Sequence, residues 1–283
     1  MSAEAIGTQN CSIPQLLFGG LGGKPSVILT NQNEILICGG YDRNIKQCMV
    51  LREQKWFTHS NLKQERNEAS AVTMPNGVYI FGGKRNPKTS EFLPNESNSW
   101  QTGPIIPNGH ERGCAIKVSD FEVILIGGYF GLDGQNLDRI IKLDINTNEW
   151  TDLGRLQVGR YSHACVVFDN KIIVSGGQRF PFDYLNSTEI ISIRNITSTK
   201  LAGTLNEARG DHGMAIADVN GESTLLAFGG GFYQDIVTQT KYLRSMEKWN
   251  SDNESWISLT EKKLDEPKAN FGSLSVPSRL LCH

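Results

Sequence analysis

Residues 123–150 read VILIGGYFGLDGQNLDRIIKLDINTNEW. A short run of β-branched and aliphatic residues, Val123 to Ile126, stops at Gly127-Gly128. Such a run, bounded by breakers, has the composition of a buried strand. The paired glycines suit a strand end where the backbone leaves the ladder or another backbone approaches closely. A further apolar segment, from Ile140, leads through the polar stretch Asn146-Thr147-Asn148 to Trp150. Asn and Asp at such joins are turn chemistry.

The same unit recurs along the chain. Doublets that follow an apolar run begin at Gly39, Gly82, Gly127, Gly176 and Gly229, spaced by 43, 45, 49 and 53 residues. The runs before them are EILIC, GVYIF, EVILI, KIIVS and TLLAF. Upstream of each lies a second apolar segment across a polar turn, as in ASAVTM-PNG and HACVVF-DN. A basic residue precedes that segment: Lys24, Arg66, Arg112, Arg160 and Arg209, at 15, 16, 15, 16 and 20 residues before the first glycine. Downstream, a third segment leads to Trp56, Trp100, Trp150 and Trp256, and a fourth follows it; the fourth repeat has no tryptophan near Lys200. Each unit therefore predicts a four-stranded antiparallel sheet. One such sheet cannot bury both faces alone, and radial packing of sheets solves this.

The apolar run, double glycine and later tryptophan resemble the Kelch repeat, and the resemblance covers about residues 11–282. It implies an all-β, six-bladed Kelch-type β-propeller forming a single domain. The expected blades are 24–65, 66–111, 112–159, 160–208 and 209–267. The sixth is assembled from both termini: inner strands from 268–283, where Lys268 to Cys282 aligns with Lys24 to Cys38, and a closing outer strand from 1–23. That blade is short, so either it is incomplete or the chain is part of a longer product.

Bulk properties exclude some functions. The net charge of −2 offers no basic surplus for phosphates, which argues against a nucleic-acid binder. No apolar stretch is long enough to span a bilayer, and the N-terminus has no signal-peptide pattern. The expected location is cytoplasmic, or extracellular if a disulfide forms. The six cysteines show no metal-ligand spacing, and no cofactor or metal is expected. Cys114 and Cys165 read as small buried hydrophobes. If residues 41–45 form the loop after the first doublet, Cys38 faces Cys48 and the two can form a disulfide. Sequons at Asn10, Asn95, Asn186, Asn195 and Asn253 are numerous enough to arise by chance.

No nucleophile elbow, P-loop or zinc-protease pair occurs. His163 and His212 each lie three residues after a repeat arginine, which marks them as repeat positions. A binding role is expected for loops that converge at one end of the blades. One candidate set follows the doublets: Tyr41, Arg43, Arg85, Tyr129, Arg179 and Tyr233, with Lys84, Phe130, Phe180 and Phe232 beside them. The other is Arg66, Arg112, Arg160 and Arg209. In Kelch propellers that act as ubiquitin-ligase substrate adaptors, arginines and tyrosines at matching places line the ligand pocket. The resemblance thus implies a non-catalytic interaction module for a peptide or partner protein, with an acidic motif favoured by guanidinium forks. Actin association, known for some relatives, is one version. The arginines equally read as scaffold, bonded to acids or carbonyls within the blades. The alternatives are a propeller enzyme acting on a sugar or small molecule, and a secreted or surface structural propeller. A monomer is expected.

Overall fold

A computed structural model describes residues 24–40, 45–131, 135–181, 183–219, 222–233, 240–267 and 269. These residues fall into two compact units, one built from 24–111 with 119–121, the other from 112–118 and from 122 onward. No helix occurs among them.

The first unit holds two four-stranded antiparallel sheets. Blade one is Ser26–Leu29, Ile35–Cys38, Cys48–Arg52 and Lys55–His59; blade two is Ser70–Met74, Gly77–Phe81, Ser90–Pro94 and Gln101–Thr102. The second unit holds three. Blade three is Cys114–Lys117, Glu122–Ile126, Arg139–Asp144 and Glu149–Arg155; blade four is Ala164–Phe168, Lys171–Ser175, Thr188–Ser192 and Asn195–Ala202. Blade five is Gly213–Val219, Glu222–Phe228, Ser245–Asn250 and Ser255–Lys263. Every sheet is a simple meander in sequence order. Blades three, four and five each carry a small extra hairpin after the doublet: Tyr129–Phe130 with Gln135–Asn136, Gln178–Arg179 with Asp183–Tyr184, and Gly231–Tyr233 with Thr240–Tyr242.

The described residues thus build five blades, not six. The expected sixth rests on two partial stretches at the termini, neither with a tryptophan, and both 1–23 and 268–283 lie outside the described residues, Ala269 excepted.

Burial follows the strand order. The second strands end in buried runs, and Ile35–Cys38 and Gly77–Phe81 are buried along their whole length. Outer strands such as Lys55–His59 are mostly solvated. Within each unit the sheets pack face to face. Ile28, Leu36 and Val50 meet Val78, Ile80 and Trp100; Ile116 and Ile140 meet Ile172 and Ile191; Ile173 and Ile190 meet Leu225 and Trp249. Two tryptophans also bond backwards to the preceding blade: Trp100 Nε1 donates to the Ser60 carbonyl at 3.2 Å, and Trp256 Nε1 to Thr188 Oγ1 at 2.9 Å.

The doublet has a specific cause. Its second glycine donates its N–H to a carbonyl four residues before the next blade's first strand: Gly40 to Arg66 (3.1 Å), Gly83 to His110 (2.9 Å), Gly128 to Arg160 (2.8 Å) and Gly177 to Arg209 (2.9 Å). That same carbonyl sits where a Cβ on the first glycine would be, 2.7 Å away at Gly127, and Gly127 has φ +56°. A side chain there is excluded by both contact and conformation.

Register sets Cys38 opposite Cys48, with Cα atoms 4.1 Å apart, and the two are paired as a disulfide. Cys114 and Cys165 differ from the expectation of plain buried thiols: they too are paired, with Cα atoms 6.3 Å apart. Their first strands belong to neighbouring blades, and face-to-face packing brings them within disulfide reach. A separation of 51 residues, one blade, gives no local sign of this in the sequence. Cys11 and Cys282 lie outside the described residues.

Candidate functional site

The repeat arginines occupy the interior. Arg66, Arg160 and Arg209 are at most 1 % exposed. Arg160 donates to the Gly176 carbonyl (2.9 Å), the Ser187 carbonyl and hydroxyl (both 3.0 Å) and Glu189 (2.8 Å). Arg209 repeats this with Gly229, Ser245 and Glu247, and Arg66 with Gly82, Thr89 and Glu91. The carboxylates are buried as well, and each also accepts two backbone N–H groups of the linker entering its blade: Lys63 and Gln64 on Glu91, Gln157 and Val158 on Glu189, Asn206 and Glu207 on Glu247. Burial pulls each guanidinium pKa below its ordinary value, and the facing carboxylate pulls it back up. A guanidinium with its fork filled from within the blade holds the linker in place and presents nothing to solvent. The structure assigns these three to the scaffold reading, not the pocket reading.

Arg112 is not their equivalent. The first strands begin opposite the residue before the doublet: Ser70 opposite Phe81, Cys114 opposite Ile126, Ala164 opposite Ser175 and Gly213 opposite Phe228. Four residues back from those starts stand Arg66, His110, Arg160 and Arg209. Arg112 shares instead the positive-φ place of Lys24, Glu68, Ser162 and Asp211. Counting from the doublet misplaces it because the hairpin between the first two strands varies in length. Blade three has lost the glutamate too: Ile141 stands where Glu91, Glu189 and Glu247 stand. A buried charge left without its partner is costly, so arginine and glutamate are absent together.

In the second unit, Arg112 is half-buried and its Cζ lies 5.7 Å from the centre of the Tyr161 ring. Tyr129 meets Tyr161 edge to face at 5.3 Å. Tyr161 pairs through its backbone with Gln178, and the Phe180 N–H donates to Asn136 Oδ1 at 2.8 Å, tying the hairpin of blade four to that of blade three. Phe180 is 52 % exposed, and Tyr129 and Phe130 are half-buried. Arg112, Tyr129, Phe130, Tyr161 and Phe180 thus gather on the loop ends of blades three and four. Tyr161 is missing from the sequence-based candidates; its position, next to a repeat arginine, is the signal that could have found it.

The remaining candidates are scattered. Arg179 is exposed and pairs with Asp183 at 2.8 Å; Arg85, in the first unit, is exposed and pairs with Glu65 at 3.2 Å. Phe232 lies 5.4 Å from Lys241 Nζ. Tyr233 ends the strand Gly231–Tyr233 opposite Thr240. Its side chain, like the whole of Tyr41 and Arg43, lies outside the described residues.

Two serine–histidine contacts have the distance of a nucleophile and base: Ser175 Oγ to His212 Nε2 at 2.9 Å, and Ser70 Oγ to His110 Nε2 at 2.8 Å. Ser175 is fully buried and Ser70 7 % exposed, so neither hydroxyl faces a substrate. Burial first, then Arg209, His163 and Arg160, push the His212 pKa well below its usual value. It is a neutral packing histidine. Among the described residues no group of three His, Cys, Asp or Glu is placed to hold a metal ion.

These features define a class: an all-β repeat protein whose blade interiors are fixed by internal ion pairs and whose loop ends carry aromatics. Residues 159–202 match the Kelch motif. The chain is 24 % identical to Kelch-like protein 40 of Xenopus tropicalis over 233 residues, 78 % of this chain and 34 % of that protein. It is 22 % identical to Kelch-like protein 40 of Mus musculus, over 89 % of this chain and 42 % of that one. It is 25 % identical to alpha-scruin of Limulus polyphemus, over 52 % of this chain and 18 % of that one. The matched regions thus span less than half of each of these relatives. The solved structure of YjhT superposes with a TM-score of 0.74, covering 88 % of this chain and 86 % of that chain at 12 % identity, which shows the β-propeller fold. The chain thus carries a Kelch motif at 159–202 and is similar to Kelch-repeat proteins over most of its length.

Proposed function

We propose that the chain is a protein-interaction module, and that its partner is a peptide or protein with an apolar or aromatic anchor held on the loop ends of blades three and four. The observation that carries this is the exposed Phe180, fixed by Asn136, the strand partner of Tyr129. An aromatic side chain held in solvent by a tethered hairpin costs free energy that binding recovers, and such residues anchor interfaces. Arg112 supplies the cation for a carboxylate on the same partner. The acidic component of the recognition is narrower than a ring of four arginines, since Arg66, Arg160 and Arg209 are engaged by Glu91, Glu189 and Glu247. Arg85 and Arg179 stand as peripheral contributors. A peptide array probed with the purified chain, with hits retested on Tyr129→Ala and Phe180→Ala, tests the reading. Loss of at least ~10-fold in affinity, about 1.4 kcal/mol, is expected for each with the melting temperature held. Ligands that bind both variants as well as the parent would refute it.

A further inference from the structure

All four sequons among the described residues are exposed: Asn95, Asn186, Asn195 and Asn253. Two of them, Asn95 and Asn253, stand in the turn between third and fourth strands, in blades two and five, and Asn195 opens the fourth strand of blade four. In a meander that turn lies at the opposite end of the strands from the loops that follow the doublets. Their amides are not alike. Asn95 Nδ2 donates to the Pro75 carbonyl at 2.6 Å and its Oδ1 accepts from Asn31 at 2.9 Å. Asn253 uses only its oxygen: Oδ1 accepts from Ser255, the hydroxyl of its own sequon, at 2.6 Å. Its Nδ2 has no partner among the described residues. A second, independent observation concerns the thiols. All four described cysteines are paired, one pair within blade one and one between blades three and four.

We propose that Asn253 is an N-glycosylation site and that the protein folds in a compartment that both glycosylates and oxidises. In the modification, the amide nitrogen of Asn253 forms a bond to the anomeric carbon of an oligosaccharide. The bond from that carbon to a lipid-linked diphosphate breaks, the diphosphate leaves, and the amide gives up one proton. Each disulfide forms as two thiols lose two protons and two electrons to the disulfide of a thiol oxidoreductase, which becomes a dithiol. A glycan on the third-to-fourth-strand turn adds bulk and solubility without covering the aromatic loop end. The Asn95 site, whose amide is engaged on both atoms, is expected to remain bare.

The experiment uses the protein isolated from its native cells. Free thiols are alkylated under denaturing conditions before reduction, and peptides are sequenced before and after treatment with a peptide N-glycosidase, which leaves aspartate where a glycan was attached. Aspartate at position 253 only after enzyme treatment, with Cys38, Cys48, Cys114 and Cys165 unalkylated until reduction, is the expected result. An unmodified Asn253 overturns the proposal, and so does alkylation of those four cysteines without reduction. As a further readout, Asn253→Gln should lose the corresponding mass while melting as the parent does.

Discussion

Replacing Arg160 by alanine removes five donor contacts at once. Those to the Val158, Gly176 and Ser187 carbonyls and to the Ser187 hydroxyl have neutral acceptors; the one to Glu189 joins two charges. The greater cost comes from what stays behind. Glu189 is fully buried and keeps only the N–H groups of Gln157 and Val158. Stranding a buried charge in this way costs about 3–5 kcal/mol, which for a chain of this size lowers the melting temperature by roughly 6–20 °C. Blade three shows how the fold manages without the pair, with His110 and Ile141 in the two places. The double variant Arg160→His/Glu189→Ile should therefore cost less than the two single changes added together, by about 2 kcal/mol or more. Calorimetry on the four proteins of the cycle and on Arg160→Ala measures this. Additive costs, or a single Arg160→Ala cost below about 1 kcal/mol, would refute the staple assignment. Loss of a peptide ligand with an unchanged melting temperature would return Arg160 to the pocket.

Gly127→Ala should destabilise by about 1–3 kcal/mol, since the new Cβ must share space with the Arg160 carbonyl at φ +56°; a denaturant midpoint unchanged from the parent would contradict the account of the doublet. His212 is neutral when folded, with its pKa held well below 6.5, whereas the unfolded chain titrates at the ordinary value. The unfolded state thus binds the extra proton, so stability is complete at neutral pH and falls as pH drops below about 6.5, by up to about 1.4 kcal/mol per unit. Melting curves at stepped pH should show that loss, and His212→Gln should flatten it. Arg85→Ala breaks a pair exposed on both sides and should change stability by no more than ~0.5 kcal/mol; a larger fall would mean Arg85 has a role the structure does not show.

The blades are readable in the sequence because their signals are local. A buried second strand, a glycine doublet and a turn lie within about a dozen residues, and the strand period and turn chemistry mark them without knowledge of the neighbours. What the sequence hides is contact between blades. The carbonyl of Arg160 makes Gly127 obligatory, yet the two belong to successive blades, and Cys114 reaches Cys165 only because first strands of adjacent blades pack together. Arg112 is misread for a different reason. Its place is inferred from its distance to Gly127, and the hairpin between first and second strands differs in length from blade to blade. Anchoring on the strand register instead puts His110 in the arginine place. Of the site, the aromatics after the doublets are legible as loop residues, but the hairpins that hold Tyr129 and Phe180 depend on Asn136, whose partner Phe180 lies in the next blade, and on Gln178, whose partner Tyr161 precedes the first strand of the same blade.

The arginine–glutamate staple also bears on where recognition can evolve. A guanidinium that holds a linker by a carboxylate, two carbonyls and a hydroxyl cannot be spared for a ligand without releasing the linker. Repetition of the arginine in blades two, four and five is therefore a mark of scaffold. Positions that vary between blades are free of that duty. At the place after the repeat arginine stand Asn67, Glu111, Tyr161 and Gly210; at the positive-φ place stand Lys24, Glu68, Arg112, Ser162 and Asp211. Tyr161 and Arg112 come from these variable positions, and Tyr161 meets both Arg112 and Tyr129. On the proposed reading, partner contacts come from the residues that break the repeat rather than from those that keep it.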